Sequence, residues 1–237
     1  MSNQGLLVIA PHPDDETLAA GGTIALCAAA GLPVTILTVA AHMPPLYSEA
    51  VHQQTVAEAR RAHGILGVTD SQFLDLPAVY VSEQPVAELN GAIAAVVEKV
   101  RPTVVLCPYP DRHVDHRAIF DAAMVATRPV GAGAGIKLLA AFETLSETHW
   151  NAPHIEPNFT PNWVVDVTDT IERKLEALAC YESQIPAFPG PRSIEAVRAL
   201  AMFRGTQSGF AYGEGFHIIR MTASADILTG ALRPGAS

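Results

Sequence analysis

Apolar positions along the chain fall into two kinds of run. Leu6–Ala10, Val34–Ala40 and Thr103–Cys107 are short, nearly continuous hydrophobic blocks rich in β-branched residues. Such blocks read as strands buried on both faces. Between them lie longer stretches with helical spacing. Thr17–Ala30 is rich in Ala and Leu, has no interior Pro, and is stopped by Gly31 and Pro33. Ser48–Leu66 carries apolar residues at helical intervals and ends at Gly67, and Val86–Val100 and Asp115–Ala126 repeat the pattern. Gln72–Leu76 reads as a further short strand. This alternation predicts an α/β fold, a mostly parallel sheet sandwiched between helices. The pair Gly21-Gly22 costs its helix some stability and would let it pack closely on a neighbour.

The carboxy-terminal third is less regular. Leu138–Phe142, Trp163–Val167 and Phe216–Met221 read as strands, and Asp169–Ser183 and Ser193–Arg204 as helices broken apart by Pro186, Pro189 and Pro191. Asn151–Pro161 reads as a loop. With no internal repeat and no long linker, residues 1–237 are expected to form one domain, with 230–237 as a flexible tail.

Composition narrows the function classes. The formal charge of -9 and the absence of a Lys/Arg run argue against a nucleic-acid partner. Cys27, Cys107 and Cys180 are odd in number and form no Cys-x-x-Cys pair, which reads as three reduced thiols and a cytoplasmic location. The first apolar run is far shorter than the ~20 residues of a membrane span, so no membrane partner is expected.

The chemistry is concentrated at two strand exits. The first strand runs into Pro11-His12-Pro13-Asp14-Asp15-Glu16, and the Thr103–Cys107 strand is followed by Asp111-Arg112-His113-Val114-Asp115-His116. In parallel α/β sheets ligands bind beyond the carboxyl ends of the strands, where both clusters fall. Catalytic zinc takes three ligands from His and carboxylate and keeps a fourth position open. His12, Asp15 and His116 supply that set, with iron, cobalt or manganese as other divalent occupants. Adjacent carboxylates repel in a closed pocket, and a cation resolves this by giving them separate roles. Asp14 is thereby free to act as a base toward water, for attack on an amide carbonyl. His113 is the candidate acid or oxyanion partner, with Asp115 holding its tautomer. Taken singly, a His beyond a strand is more often structural, and Asp15, Glu16 and Asp115 could each merely start a helix. Two such clusters at two strand exits make that combination improbable. His42 could face the same cleft or the surface.

At these residues the chain resembles the LmbE/PIG-L-like family of zinc-dependent N-deacetylases. Ala10-Pro11-His12-Pro13-Asp14-Asp15-Glu16, followed by Gly21-Gly22-Thr23, matches its first motif, and Pro110-Asp111-Arg112-His113-Val114-Asp115-His116-Arg117-Ala118 its second. Weaker likeness runs through Leu175–Leu178, Tyr181–Gln184, Arg204-Gly205 and Glu214–Phe216. The resemblance implies a Rossmann-like fold and removal of an N-acetyl group from an N-acetylglucosamine-type sugar or sugar conjugate. It also implies zinc on His12, Asp15 and His116, Asp14 as base, His113 as acid or oxyanion partner, and a homo-oligomer such as a trimer or hexamer. The substrate pocket departs from the pattern. Asp111 stands where some relatives carry Tyr, and Thr55 occupies the slot of a substrate-gripping Arg, with Arg60 and Arg61 nearby. Arg112, Tyr109 and Trp150 are the candidate substrate contacts. Two other readings stand beside this one. A metal-dependent amidohydrolase could act on a non-sugar amide. A nucleotide-binding module would need a Gly-rich turn after the first strand, where Pro11–Asp15 stands instead.

Overall fold

Strand β1 (Leu6–Ala10) is buried along its whole length, and its side chains divide by parity between two cores. Leu6, Val8 and Ala10 join one hydrophobic cluster, while Leu7 and Ile9 join the other. This is the period-two pattern of a strand covered on both faces. The computed structural model describes residues 5–152 and 154–223, so the expected tail at 230–237 lies outside the described residues.

After β1 the chain runs through α1 (Asp15–Ala29), β2 (Val34–Ala41), α2 (Glu49–Leu66), β3 (Asp70–Pro77), α3 (Val86–Val100), β4 (Val104–Pro108), α4 (Val114–Ala126), β5 (Leu138–Phe142), β6 (Trp163–Asp166), α5 (Ile171–Leu178), α6 (Ile194–Thr206) and β7 (Gly213–Met221). The sheet has seven strands in the order β3-β2-β1-β4-β5-β7-β6. The first five are mutually parallel, with Leu6 beside Val34 on one side and Val104 on the other. Strand β7 runs antiparallel to both β5 and β6. Chain order reverses between β1 and β4, so their carboxyl ends open a crevice where this fold binds ligands. Both sequence clusters hang from those two strands.

One face is covered by α1, α2, α5 and α6, through Leu18, Ile24, Leu66, Leu175 and Val197. The other is covered by α3 and α4, through Leu89, Ile93, Val97 and Ile119. Helix ends follow their sequence signals. Ser48 caps α2 by accepting from Val51 N–H, and Gly67 ends it in the left-handed region at φ 79°.

Helix α1 is interrupted at Ala20, whose φ of -134° is not helical. The glycines beside it explain the close approach that follows. A Cβ at Gly22 would lie 2.7 Å from Val167 Cβ, and one at Gly21 would lie 2.8 Å from Lys174 Cγ. The N–H groups freed by the kink are taken up by Glu214 on β7, which accepts from Gly22 N and Thr23 N at 2.8 Å each and from Lys174 Nζ at 2.6 Å. A carboxylate at the start of the second helical half is the favourable sign for the helix dipole.

Helix α5 is shorter than its periodicity predicts. The helix expected over Asp169–Ser183 spans only Ile171–Leu178. Beyond it, buried Tyr181 donates to Glu16, and Ser183 donates to Glu58 through both N–H and hydroxyl. These tertiary bonds draw the chain off the helical path.

Candidate active site

The turn after β1 is folded by its own acids. His12 N–H donates to Asp15 Oδ2 at 2.9 Å, and Asp14 N–H donates to Glu16 at 3.3 Å. Asp14 sits at φ 113°, a costly conformation for a residue with a side chain. The three consecutive acids, all buried, point to three different sets of partners. Glu16 turns inward to Thr17 Oγ1, the Tyr181 hydroxyl and, at 3.4 Å, His63. Asp15 turns to two histidines. Asp14 turns to Arg192, whose Nη1 lies 3.1 Å from Asp14 Oδ2.

His12, Asp15 and His116 meet at one point. Asp15 Oδ2 lies 3.1 Å from His12 Nδ1 and 3.3 Å from His116 Nε2. Two ligands of a tetrahedral zinc at bond lengths of roughly 2.0–2.1 Å are separated by about 3.3 Å, so these spacings suit a shared cation. His113 is also close. Ring nitrogens of His12, His113 and His116 all lie within 4.8 Å of one another, and this trio could hold a metal ion. The far nitrogen of each inner histidine is held by a carboxylate. His12 Nε2 is 2.9 Å from Asp115 Oδ2, and His116 Nδ1 is 3.0 Å from Asp111 Oδ2. Backing of this kind fixes ring orientation and tautomer in metal sites.

His116 Nε2 is buried and, among the described residues, has no hydrogen-bond partner, because its approach to Asp15 lacks hydrogen-bond geometry. A cation at this point would satisfy it, and the donor set of two imidazoles and a carboxylate fits such an ion. Burial would lower the His116 pKa, but the carboxylates of Asp15 and Asp111 raise it to about 10.

Asp115 differs from expectation. Its carboxylate is 4.0 Å from His113 Nδ1 and holds His12 instead. It also accepts from Val79 N–H at 2.6 Å and Val81 N–H at 3.3 Å. Burial would raise its pKa, but these hydrogen bonds outweigh it and keep the group below the ordinary range. Val79 holds φ at 73°, costly for a β-branched residue, in order to present that N–H. His113 is oriented by backbone. It caps α4, and its Nδ1 accepts from Asp115 N–H at 3.2 Å, which assigns the proton to Nε2 in the neutral ring. Burial, with His12 and His116 nearby, pushes its pKa down to about 4. A neutral donor thus faces the site near neutrality. Asp14 is pushed up to about 8 by burial, with the Arg192 guanidinium pulling the other way.

Arg112 is tied to Glu147 at 2.5 Å and lies over the Trp150 ring, 6.0 Å from its centroid. Tyr109 donates to Pro157 O. Arg60 lies over the Phe73 ring, and Arg61 donates to Cys180 O. His42 does face the cleft, stacked 6.0 Å from His12, and burial, with His12 nearby, pushes its pKa down to about 4. Four residues the sequence reading did not assign to the site are Asp111, Val79, Glu147 and Arg192. Asp111 carried a signal in heading the second His/Asp cluster, five residues before His116. Arg192 carried none, being 178 residues from its partner.

Comparison with known proteins places these residues in context. The family model described as "PIG-L: GlcNAc-PI de-N-acetylase" matches residues 7–127. The chain is 30% identical to the diacetylchitobiose deacetylase of Thermococcus kodakarensis, over 90% of this chain and 82% of that one. It is 27% identical to a probable N-acetyl-alpha-D-glucosaminyl L-malate deacetylase of Bacillus anthracis, over 76% and 80%. In structure it is similar to the conserved protein TT1542 of Thermus thermophilus, with TM-score 0.76, 28% identity and coverage of 95% and 98%.

Proposed function

Since the chain belongs to the PIG-L de-N-acetylase family, we propose that it is a metal-dependent hydrolase that removes an N-acetyl group from an N-acetylglucosamine-type sugar or sugar conjugate. The observation that carries the reading is the division of labour between neighbouring acids, Asp15 toward His12 and His116 and Asp14 away from them.

His12, Asp15 and His116 are the residues that would hold zinc or another divalent ion. We favour Asp15 over His113 as third ligand, because both inner imidazoles converge on Asp15 and the His113 Nδ1 is committed to its helix cap. Such an ion supplies Lewis acidity toward a carbonyl oxygen and lowers the pKa of water toward ~7. Asp14 then takes a proton from the attacking water. His113 Nε2–H donates to the oxygen that becomes negative as the amide carbonyl turns tetrahedral, and the proton that Asp14 has taken from the water passes on to the departing amine. Asp115 and Asp111 hold the two imidazoles. We assign Arg112 and Trp150, which lie against each other with Arg112 also bound to Glu147, to contact with the remainder of a conjugate. Of the relatives named above, one is a deacetylase of diacetylchitobiose and another a probable deacetylase of an N-acetylglucosaminyl malate, both N-acetylated sugars. We extend the reading to a homo-oligomer, a trimer or hexamer, acting in the cytoplasm. In the described residues no helix is long and apolar enough to cross a membrane, and all three cysteines are free.

The test is release of free amine from a panel of N-acetyl sugars and acetylated non-sugar amines, with metal content measured on the same sample. Turnover confined to the sugars supports the proposal. Turnover confined to the other amines would redirect it to a different amidohydrolase, and none anywhere with metal bound would end it. Sedimentation velocity measures the oligomer.

A further inference from the structure

Arg192 lies beyond the stretch matched by the family model, on the segment between α5 and α6. Its backbone is held on both sides. Pro186, Pro189 and Pro191 fix local φ values, Ser193 N–H donates to Gly190 O at 3.0 Å, and Ser193 caps the thirteen-residue helix α6 by accepting from Ala196 N–H. The guanidinium spans two acids from different elements, with Nη1 3.1 Å from Asp14 Oδ2 and Nη2 3.2 Å from Glu147 Oε1. Glu147 in turn accepts from Arg112. Among the described residues, Arg192 is the one side chain that hydrogen-bonds the Asp14 carboxylate. Asp15 has two histidines and Glu16 has Tyr181 and Thr17, so Arg192 is the partner that Asp14 would otherwise lack in a buried site.

We propose that Arg192 is a positioning residue for the Asp14 base, with Glu147 anchoring its other end. This rests on the reading of Asp14 given above. A base must present a fixed oxygen to the water it deprotonates, and a misplacement of ~1 Å costs about 10²-fold in rate. Arg192 engages one carboxylate oxygen, Oδ2, and leaves Oδ1 free for the proton. The planar fork suits this task better than an ammonium, because it meets two carboxylates at once in set directions. The arm also links the base through Glu147 and Arg112 to the exposed Trp150 ring.

The experiment compares R192M, R192K and E147Q with the parent enzyme loaded with zinc, using the best substrate of the amine-release panel. R192M is expected to lose about 10²-fold in kcat with KM changed less than threefold and zinc content unchanged. R192K, holding one acid at a time, falls between, and E147Q loses less than R192M. Added guanidinium ion should restore part of the R192M rate. A rise in KM alone would make Arg192 a substrate contact and overturn the proposal, as would unchanged kcat or loss of zinc. A second readout needs neither metal nor turnover. In metal-free protein, the fall in Tm of the D14N/R192M double variant should be smaller than the sum of the two single falls. Additive falls mean that the pair does not interact, which also overturns the proposal. If the parent enzyme releases no amine while the pair is coupled, the functional reading has failed and the contact has not.

Discussion

Replacing Asp115 separates two roles that the geometry keeps apart, holding His12 and serving His113. Three donors converge on this buried carboxylate: His12 Nε2 at 2.9 Å, Val79 N–H at 2.6 Å and Val81 N–H at 3.3 Å. A carboxylate accepts all three, whereas the amide introduced by D115N must turn its NH₂ toward one of the donors. The least costly orientation aims that NH₂ at Val81, the longest contact, and keeps the amide oxygen on His12 and Val79. His12 then retains an acceptor, but one without charge. The step from a charged to a neutral hydrogen bond is worth about 1–1.5 kcal/mol, close to the ~1.4 kcal/mol of a tenfold change in affinity. D115N should therefore bind zinc roughly tenfold more weakly, the lower end of the 10–100-fold range for partners of this kind. D115A removes every acceptor, frees the His12 ring and should reach the upper end, with stability lost as well. The assay is zinc affinity by chelator competition, with Tm of the metal-free proteins alongside. If D115N binds zinc as the parent does while kcat falls, Asp115 acts on His113 after all and the argument fails.

Other changes probe the base, the packing and the charge network. D14N should lower turnover by about 10²–10⁴-fold while zinc content stays at the parent level; turnover within threefold of the parent excludes Asp14 as base. G22A places a Cβ 2.7 Å from Val167 Cβ, and overpacking of this kind should cost about 1–3 kcal/mol in urea unfolding; an unshifted midpoint would mean that α1 has room to move. Glu143 is buried, which raises its pKa, but His149 at 3.0 Å and Arg204 at 2.6 Å more than offset that and hold it below the ordinary range. A carboxyl whose folded pKa is depressed contributes stability above its unfolded pKa of ~4.3, and that contribution is lost as pH falls through the folded value. The parent should thus lose Tm more steeply than E143Q as pH drops below ~4, and parallel curves would refute the assignment.

The parts of this molecule that could be read from its sequence are those whose signal is local. Strand β1 and the turn after it announce themselves within eleven residues, because a block buried on both faces is continuously apolar and a metal-binding turn concentrates His and Asp. Helix α2 carries both of its caps in the sequence, Ser48 and Gly67. What escaped was the direction in which each common residue points. Asp115 lies in the first turn of α4 two residues from His113, and both a helix-start role and a bond to that neighbour are consistent with its position. Its actual partner, His12, is 103 residues away and is brought into reach because β1 and β4 are adjacent in the sheet. Arg192 escaped for the same reason, and so did the early end of α5, where a Tyr181 hydroxyl bond to the first cluster outweighs helical periodicity. Residue type at a strand exit determines which groups can meet an ion. Long-range hydrogen bonds determine which nitrogen faces it, and those depend on strand order rather than on any neighbouring residue.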